Sequence, residues 1–123
     1  MLMFKDNHLP RKTFTLRKDF SFDSAHILKG DEGHCGQIHG HTWTGTVVCQ
    51  GNSNQLEDGI LTDFREIKRI IEQLDHCTLN EVLACERPTA EYIAAWILEQ
   101  IPFAVEVILN ESPGSQVRVT HQK

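Results

Sequence analysis

The 123-residue chain has no CxxC pair, no long apolar run, no internal repeat and no low-complexity tract. Each absence excludes a class. Without CxxC spacing, the four cysteines (Cys35, Cys49, Cys77 and Cys85) do not make a zinc ribbon or a redox dithiol. In a reducing compartment they are expected as free thiols, most of them packed. No stretch reaches the roughly 18 apolar residues of a membrane span, so no membrane partner is expected. The start, Met1-Leu2-Met3-Phe4, runs at once into Lys5 and Asp6 and lacks an apolar signal-peptide core. The expectation is a cytoplasmic protein. Positive charge is scarce as well: twelve Lys and Arg face seventeen Asp and Glu, a net −5 that argues against a nucleic-acid binder.

What is present fits one globular domain. A hydrophobic share of 40% and a charged share of 24% are ordinary, and the length supports a single core. Residues 1–12 read as a flexible lead-in and 13–123 as one domain. The basic residues are uneven: residues 1–30 carry six against three acids, the remaining 93 six against fourteen. Such a start is either a solvated strand face or a local patch for an anionic small molecule.

From Thr13 the parity is that of a strand, with Phe14, Leu16, Phe20, Phe22 and His26 on one side and Thr15, Arg17, Asp19 and Ser21 on the other. Lys18 falls on the apolar side and breaks the pattern. A polar loop follows. A second strand from about His39 to Cys49 puts His39, His41, Trp43 and Val47 on one face. Gly51 to Gly59 reads as a loop. Thr62 or Asp63 caps a helix with the apolar stripe Phe64, Ile67, Ile71 and Leu74. Pro88-Thr89-Ala90-Glu91 opens a second helix, with Ile93, Trp96, Ile97 and Ile101 inward. Val105, Val107 and Leu109 make a strand, Ser112-Pro113-Gly114-Ser115 a turn, and Val117 and Val119 the return strand. The predicted order is ββααββ, an α+β domain with a four-stranded antiparallel sheet and two helices on one face. Open sheet edges invite pairing between copies, so a homo-oligomer is expected.

The chemistry concentrates at Cys35-Gly36-Gln37-Ile38-His39-Gly40-His41, with His26 upstream. Histidines at i and i+2 on a strand aim at one point, and a third from a neighbouring strand adds another nitrogen. Surface histidines beside a turn are the ordinary alternative, which the third histidine weakens. Three imidazoles with an open fourth position suit catalytic zinc. Copper and nickel fit by affinity alone. Cys35 is then either a fourth ligand of a closed, structural site or a thiol working beside the metal. Asp23 and Glu32 are candidates to orient the imidazoles. Asp75-His76 is either a polar helix end or a histidine acid/base polarised by its carboxylate. Glu111 continues the apolar series Val105, Val107 and Leu109, and a carboxylate there needs a partner. It could accept two adjacent N–H donors of a ligand. Glu91 is explained by the helix dipole alone.

Six segments together resemble the 6-pyruvoyltetrahydropterin synthase family. They are Phe22-Asp23-Ser24-Ala25-His26, Cys35 to Thr42, Leu61-Thr62-Asp63-Phe64, Leu74 to His76 with Leu79-Asn80, Pro88 to Glu91, and Asn110-Glu111-Ser112. The cysteine-to-histidine spacing is most similar to the bacterial 6-carboxytetrahydropterin synthases of queuosine biosynthesis. The resemblance implies a T-fold, trimers that pair into hexamers around a barrel, and active sites between subunits. It implies Zn2+ on His26, His39 and His41, Cys35 as base, Asp75 and His76 in proton transfer, and Glu111 on the pterin ring. The implied reaction converts 7,8-dihydroneopterin triphosphate to 6-carboxy-5,6,7,8-tetrahydropterin with release of acetaldehyde and triphosphate. Alternatives are a 6-pyruvoyltetrahydropterin synthase, which eliminates triphosphate without cleaving the side chain, a folate-branch cleavage enzyme, and a non-enzymatic protein with a structural His3Cys zinc. Arg17, Lys29 and Lys68 are candidates for the triphosphate.

Overall fold

Two strands of fourteen residues each dominate the chain, their alternation broken in sequence at Lys18 and in burial at Gly45–Val47. The structure is a computed structural model that describes residues 9–123. Most of the expected lead-in therefore lies outside the described residues. At its last residue, the Lys12 carbonyl accepts the Ser53 N–H at 3.0 Å and the Lys12 N–H donates to the Ser53 hydroxyl at 2.9 Å.

Strand β1 (Thr13–His26) and strand β2 (His39–Asn52) form an antiparallel hairpin whose register closes on the pair His26–His39. Along β1 the even-numbered positions turn inward, from half-buried Phe14 to buried Phe22, Ser24 and His26. Strand β4 (Ala104–Ser112) pairs antiparallel with β2, and β5 (Ser115–Thr120) pairs antiparallel with β4.

The sheet is not the expected four-stranded antiparallel one. A two-residue strand β3 (Cys77–Thr78) pairs parallel to β1, giving a five-stranded mixed sheet in the order β3-β1-β2-β4-β5. Two residues carry no periodicity, so this strand had no sequence pattern to betray it. The second strand also runs to Asn52, into the segment read as loop.

Helix α1 (Phe64–Glu72) is capped by Asp63, whose side chain accepts the Arg65 backbone N–H at 2.8 Å. Helix α3 (Ala90–Gln100) is capped by Thr89, which accepts from Tyr92 N–H at 3.2 Å. One turn of helix, α2 (Leu79–Val82), stands between them, so the expected two helices are three. Ile67, Ile71 and Leu74 are buried as the stripe predicts, but Phe64 is 48% exposed, because the first helical position lies beyond the sheet's cover.

The core lies between the sheet and the helices, around Phe22, Trp43, Val47, Ile67, Leu74, Ile93, Ile97, Val107 and Leu109. The rings of Phe22 and Trp43 stack at 5.9 Å. Gly45 is required in that layer: a Cβ there would meet the ring of Phe20 at 2.5 Å and the Ile108 carbonyl at 2.3 Å. Val105 does not continue the inward series, since the β2–β4 register shifts there and gives the inner position to Ala104. The opposite sheet face, with Thr15, Arg17, Asp19, Ser21 and Asp23, is exposed.

Candidate active site

The inward parity that buries Phe22 carries on to His26 and meets His39 and His41 of the paired strand. The ring centroids lie 4.5 Å apart for His26 and His39, 5.2 Å for His26 and His41, and 5.0 Å for His39 and His41. One ring nitrogen of each falls within 4.8 Å of the others, a group that could hold a metal ion.

Backbone carbonyls fix the tautomers. His26 Nδ1 lies 2.8 Å from the Pro88 carbonyl and His39 Nδ1 2.7 Å from the Gln37 carbonyl. A carbonyl only accepts, so both Nδ1 atoms carry hydrogen and both Nε2 lone pairs are free. Asp23 and Glu32 do not take this orienting role. Asp23 could not, because it lies three residues before His26 and alternation turns it to the other face.

The free nitrogens converge. Nε2 of His26 and of His41 are buried without a hydrogen-bond partner. Glu111 Oε2 stands 3.6 Å from the first and 3.9 Å from the second, too far for hydrogen bonds. Burial pushes both imidazoles below their ordinary pKa, toward the neutral, ligating form. Two buried ring nitrogens left without partners beside a carboxylate are unfavourable unless a cation lies among them. The donor set fits zinc. Glu111 reaches this position at a bulge, where the β4–β5 register skips between Asn110 and Ser112.

Cys35 lies outside the histidine group. It is exposed on a single 3-10 turn, His34–Gly36, and its neighbour His34 places its ring 5.2 Å from that of His39. The other cysteines are packed thiols: burial pushes Cys49 and Cys77 up, and Cys85 lies against the core. All four are free.

Asp75 and His76 do touch, Oδ2 to Nδ1 at 2.9 Å. Asp75 Oδ1 accepts the Asp23 N–H at 2.9 Å, and this bond, with His76 adding, holds its carboxyl below the usual range. The His76 N–H donates to the Asp23 carbonyl at 2.6 Å, which fixes a left-handed backbone at φ 53°. A histidine there is strained by about 1–3 kcal/mol, a cost that clusters at functional sites. Asp23 joins the group and accepts from Thr42 Oγ1 at 2.6 Å. The sequence reading missed Asp23 and Thr42 as partners of this pair, although their shared parity and register are visible once the hairpin is drawn. An open depression of about 610 Å³ adjoins, lined by Asp23, Gly40, His41, Thr42 and His76.

The two groups therefore stand on opposite faces of one hairpin. The triphosphate candidates are engaged or scattered: Lys29 pairs with Glu86 at 3.0 Å and Arg17 with Asp19 at 3.5 Å.

Residues 15–122 match the sequence model of the family described as 6-pyruvoyl tetrahydropterin synthase. The chain belongs to that family. It is 38% identical over 92 residues to the 6-carboxy-5,6,7,8-tetrahydropterin synthase of Synechocystis sp., covering 68% of this chain and 71% of the relative. It is also 38% identical over 85 residues to the dihydroneopterin monophosphate aldolase of Pyrococcus furiosus, covering 66% of this chain and 68% of the relative. The fold is that of the Caenorhabditis elegans 6-pyruvoyl tetrahydropterin synthase, with TM-score 0.72 at 19% identity over 93% of this chain and 99% of that one. No helix among the described residues is long and apolar enough to cross a membrane.

Proposed function

We propose that this family member is a zinc-dependent lyase that converts 7,8-dihydroneopterin triphosphate and water to 6-carboxy-5,6,7,8-tetrahydropterin, acetaldehyde and triphosphate. The observation that supports it is the pair of orphaned Nε2 atoms of His26 and His41, beside Glu111 and with Cys35 left outside the group. A closed structural site would use the thiol as ligand, whereas this arrangement leaves a position for substrate.

His26, His39 and His41 would hold the metal through Nε2. Bound zinc supplies Lewis acidity toward the side-chain oxygens and so acidifies the neighbouring C–H bonds. Glu111 accepts two N–H bonds from the amino-pyrimidine edge of the pterin and sets its angle. Cys35 takes a proton from the side-chain carbon as thiolate. Asp75 accepts from His76 Nδ1, which leaves Nε2 to take up and return a proton on the other side. Triphosphate leaves as the ring gains the two hydrogens that the side chain gives up. Carbon–carbon cleavage then yields acetaldehyde and the 6-carboxy group.

The side chains of the two groups face opposite ways from β1, which favours a site shared between copies. The active site then lies between copies, with His76 supplied by a neighbour to the metal and Cys35 of another. The open β3 and β5 edges give a homo-oligomer, trimer or dimer of trimers, the means to form it.

The test is to incubate the zinc-loaded protein with dihydroneopterin triphosphate and identify the products. Acetaldehyde with 6-carboxytetrahydropterin supports the proposal. A pyruvoyl product, or an aldolase product from the monophosphate, would replace it with the activity named for another relative. No turnover with zinc fully loaded would refute an enzymatic role on this substrate.

A further inference from the structure

The loop that carries Cys35 has almost nothing apolar to hold it. No residue of the His34–Gly36 turn is buried. Its order comes instead from hydrogen bonds. Within the loop, Leu28 N–H donates to the Cys35 carbonyl at 2.8 Å, Asp31 N–H to the Leu28 carbonyl at 3.1 Å, and Gly36 N–H to the Gly33 carbonyl at 3.1 Å. The loop is drawn tight: a Cβ on Gly36 would lie 2.0 Å from the Asp31 carbonyl oxygen. Fixing Asp31 therefore fixes Gly36, and with it Cys35.

What fixes Asp31 is Arg87. One guanidinium nitrogen, Nη1, donates to the Lys29 carbonyl at 2.6 Å and to Asp31 Oδ1 at 3.0 Å. The preceding residue adds to the same hold, since Lys29 N–H donates to the Glu86 carbonyl at 3.2 Å and Lys29 Nζ pairs with Glu86 at 3.0 Å. The following residue is Pro88, whose carbonyl orients His26. A single tripeptide, Glu86-Arg87-Pro88, thus grips the cysteine loop with one end and a candidate metal ligand with the other.

We propose that Arg87 is a positioning residue that sets the Cys35 loop against the three-histidine group. This rests on the reading of Cys35 as the reactive thiol. Exposed ion pairs are weak on their own, and Arg87 and Asp31 are 49% and 35% exposed. The force here is directional: Nη1, whose hydrogens are fixed in the guanidinium plane, donates to both a carbonyl and a carboxylate of the same loop. A loop without buried side chains opens locally when such a link is lost, while the hairpin beneath it stays closed.

Hydrogen exchange on the zinc-loaded protein tests the claim without any turnover, so failure of the pterin reading leaves this arm intact. In Arg87→Met, the amides of Leu28, Asp31 and Gly36 should exchange about tenfold faster or more, with β1–β2 amides and zinc per chain unchanged. With substrate, kcat should fall by about a hundredfold while KM stays within about twofold, because a misplaced thiol loses alignment and not binding. Arg87→Lys, which keeps the charge, should recover part of kcat. Asp31→Ala should match Arg87→Met, and the double variant should be no worse than either. Unchanged loop exchange would overturn the proposal. So would equal loss of hairpin protection and zinc, which would make Arg87 a general stabiliser.

Discussion

His26 and His39 are the last register pair of the β1–β2 hairpin, and their rings meet edge to face at 4.5 Å. The closing pair of a hairpin is usually free to fray. Here each ring is instead tied by Nδ1 to a carbonyl, Pro88 for one and Gln37 for the other. The hairpin end thereby fixes a pair of imidazoles, and His41 two residues on adds the third ring of a group that could hold a metal ion.

A metal should therefore matter to the site more than to the fold. Apolar side chains around Trp43, Ile97 and Val107 build the core, and His26 and His41 pack against Trp43 at its edge. Replacing His41 by Ala should abolish stoichiometric zinc, read by metal analysis, while the far-ultraviolet circular dichroism stays that of the parent. Loss of folded signal along with zinc would make the site structural.

Trp43 should govern stability. It is fully buried against Phe22 and touches the His26 and His41 rings at 5.2 Å. Trp43→Ala should cost about 3–5 kcal/mol in denaturant unfolding, from lost burial plus the cavity left behind. A cost below about 1 kcal/mol would mean that the core is not packed as described.

Asp63 provides a pH test of the fold. Arg65, through its side chain and its backbone N–H, lowers the Asp63 pKa to about 2. A carboxylate depressed in the folded state adds stability above its unfolded value, and that stability is lost as pH falls toward 2. Asp63→Ala should lower Tm at pH 7, and the gap should close on acidification. A gap that persisted at pH 2 would assign the effect to something other than the carboxylate.

The opposite-face arrangement makes a sharper demand. Cys35→Ala and His76→Ala should each be inactive as pure proteins. Mixed, dissociated and reassembled, they should regain activity at up to about a quarter of the sites if Cys35 and His76 come from different copies. No recovery in a verified mixed oligomer would place both residues at one copy's site.

The legible part of this protein was whatever alternates. Parity along β1 and β2 located the inner face, and with it His26, His39 and His41 as one cluster. It located inward Glu111 too, although the β4–β5 bulge beside it has no sequence signal. Parity also argues against Asp23 as a partner of the histidines, since it stands an odd number of residues before His26 on one strand. What was not legible has no pattern: the two-residue strand β3, the carbonyls of Pro88 and Gln37, and the Arg87 fork. Backbone atoms carry no residue identity, and a lone arginine in a loop announces no partner until the loop 56 residues away is folded beside it.

The central claim is that three histidines hold a catalytic zinc with Cys35 beside it and not on it. Zinc content and turnover of Cys35→Ala, measured on one preparation, test it most directly. Zinc should stay at the parent's stoichiometry while turnover of dihydroneopterin triphosphate falls by at least about a hundredfold. Zinc lost together with turnover would make Cys35 a ligand, and full turnover with zinc retained would remove it from the chemistry.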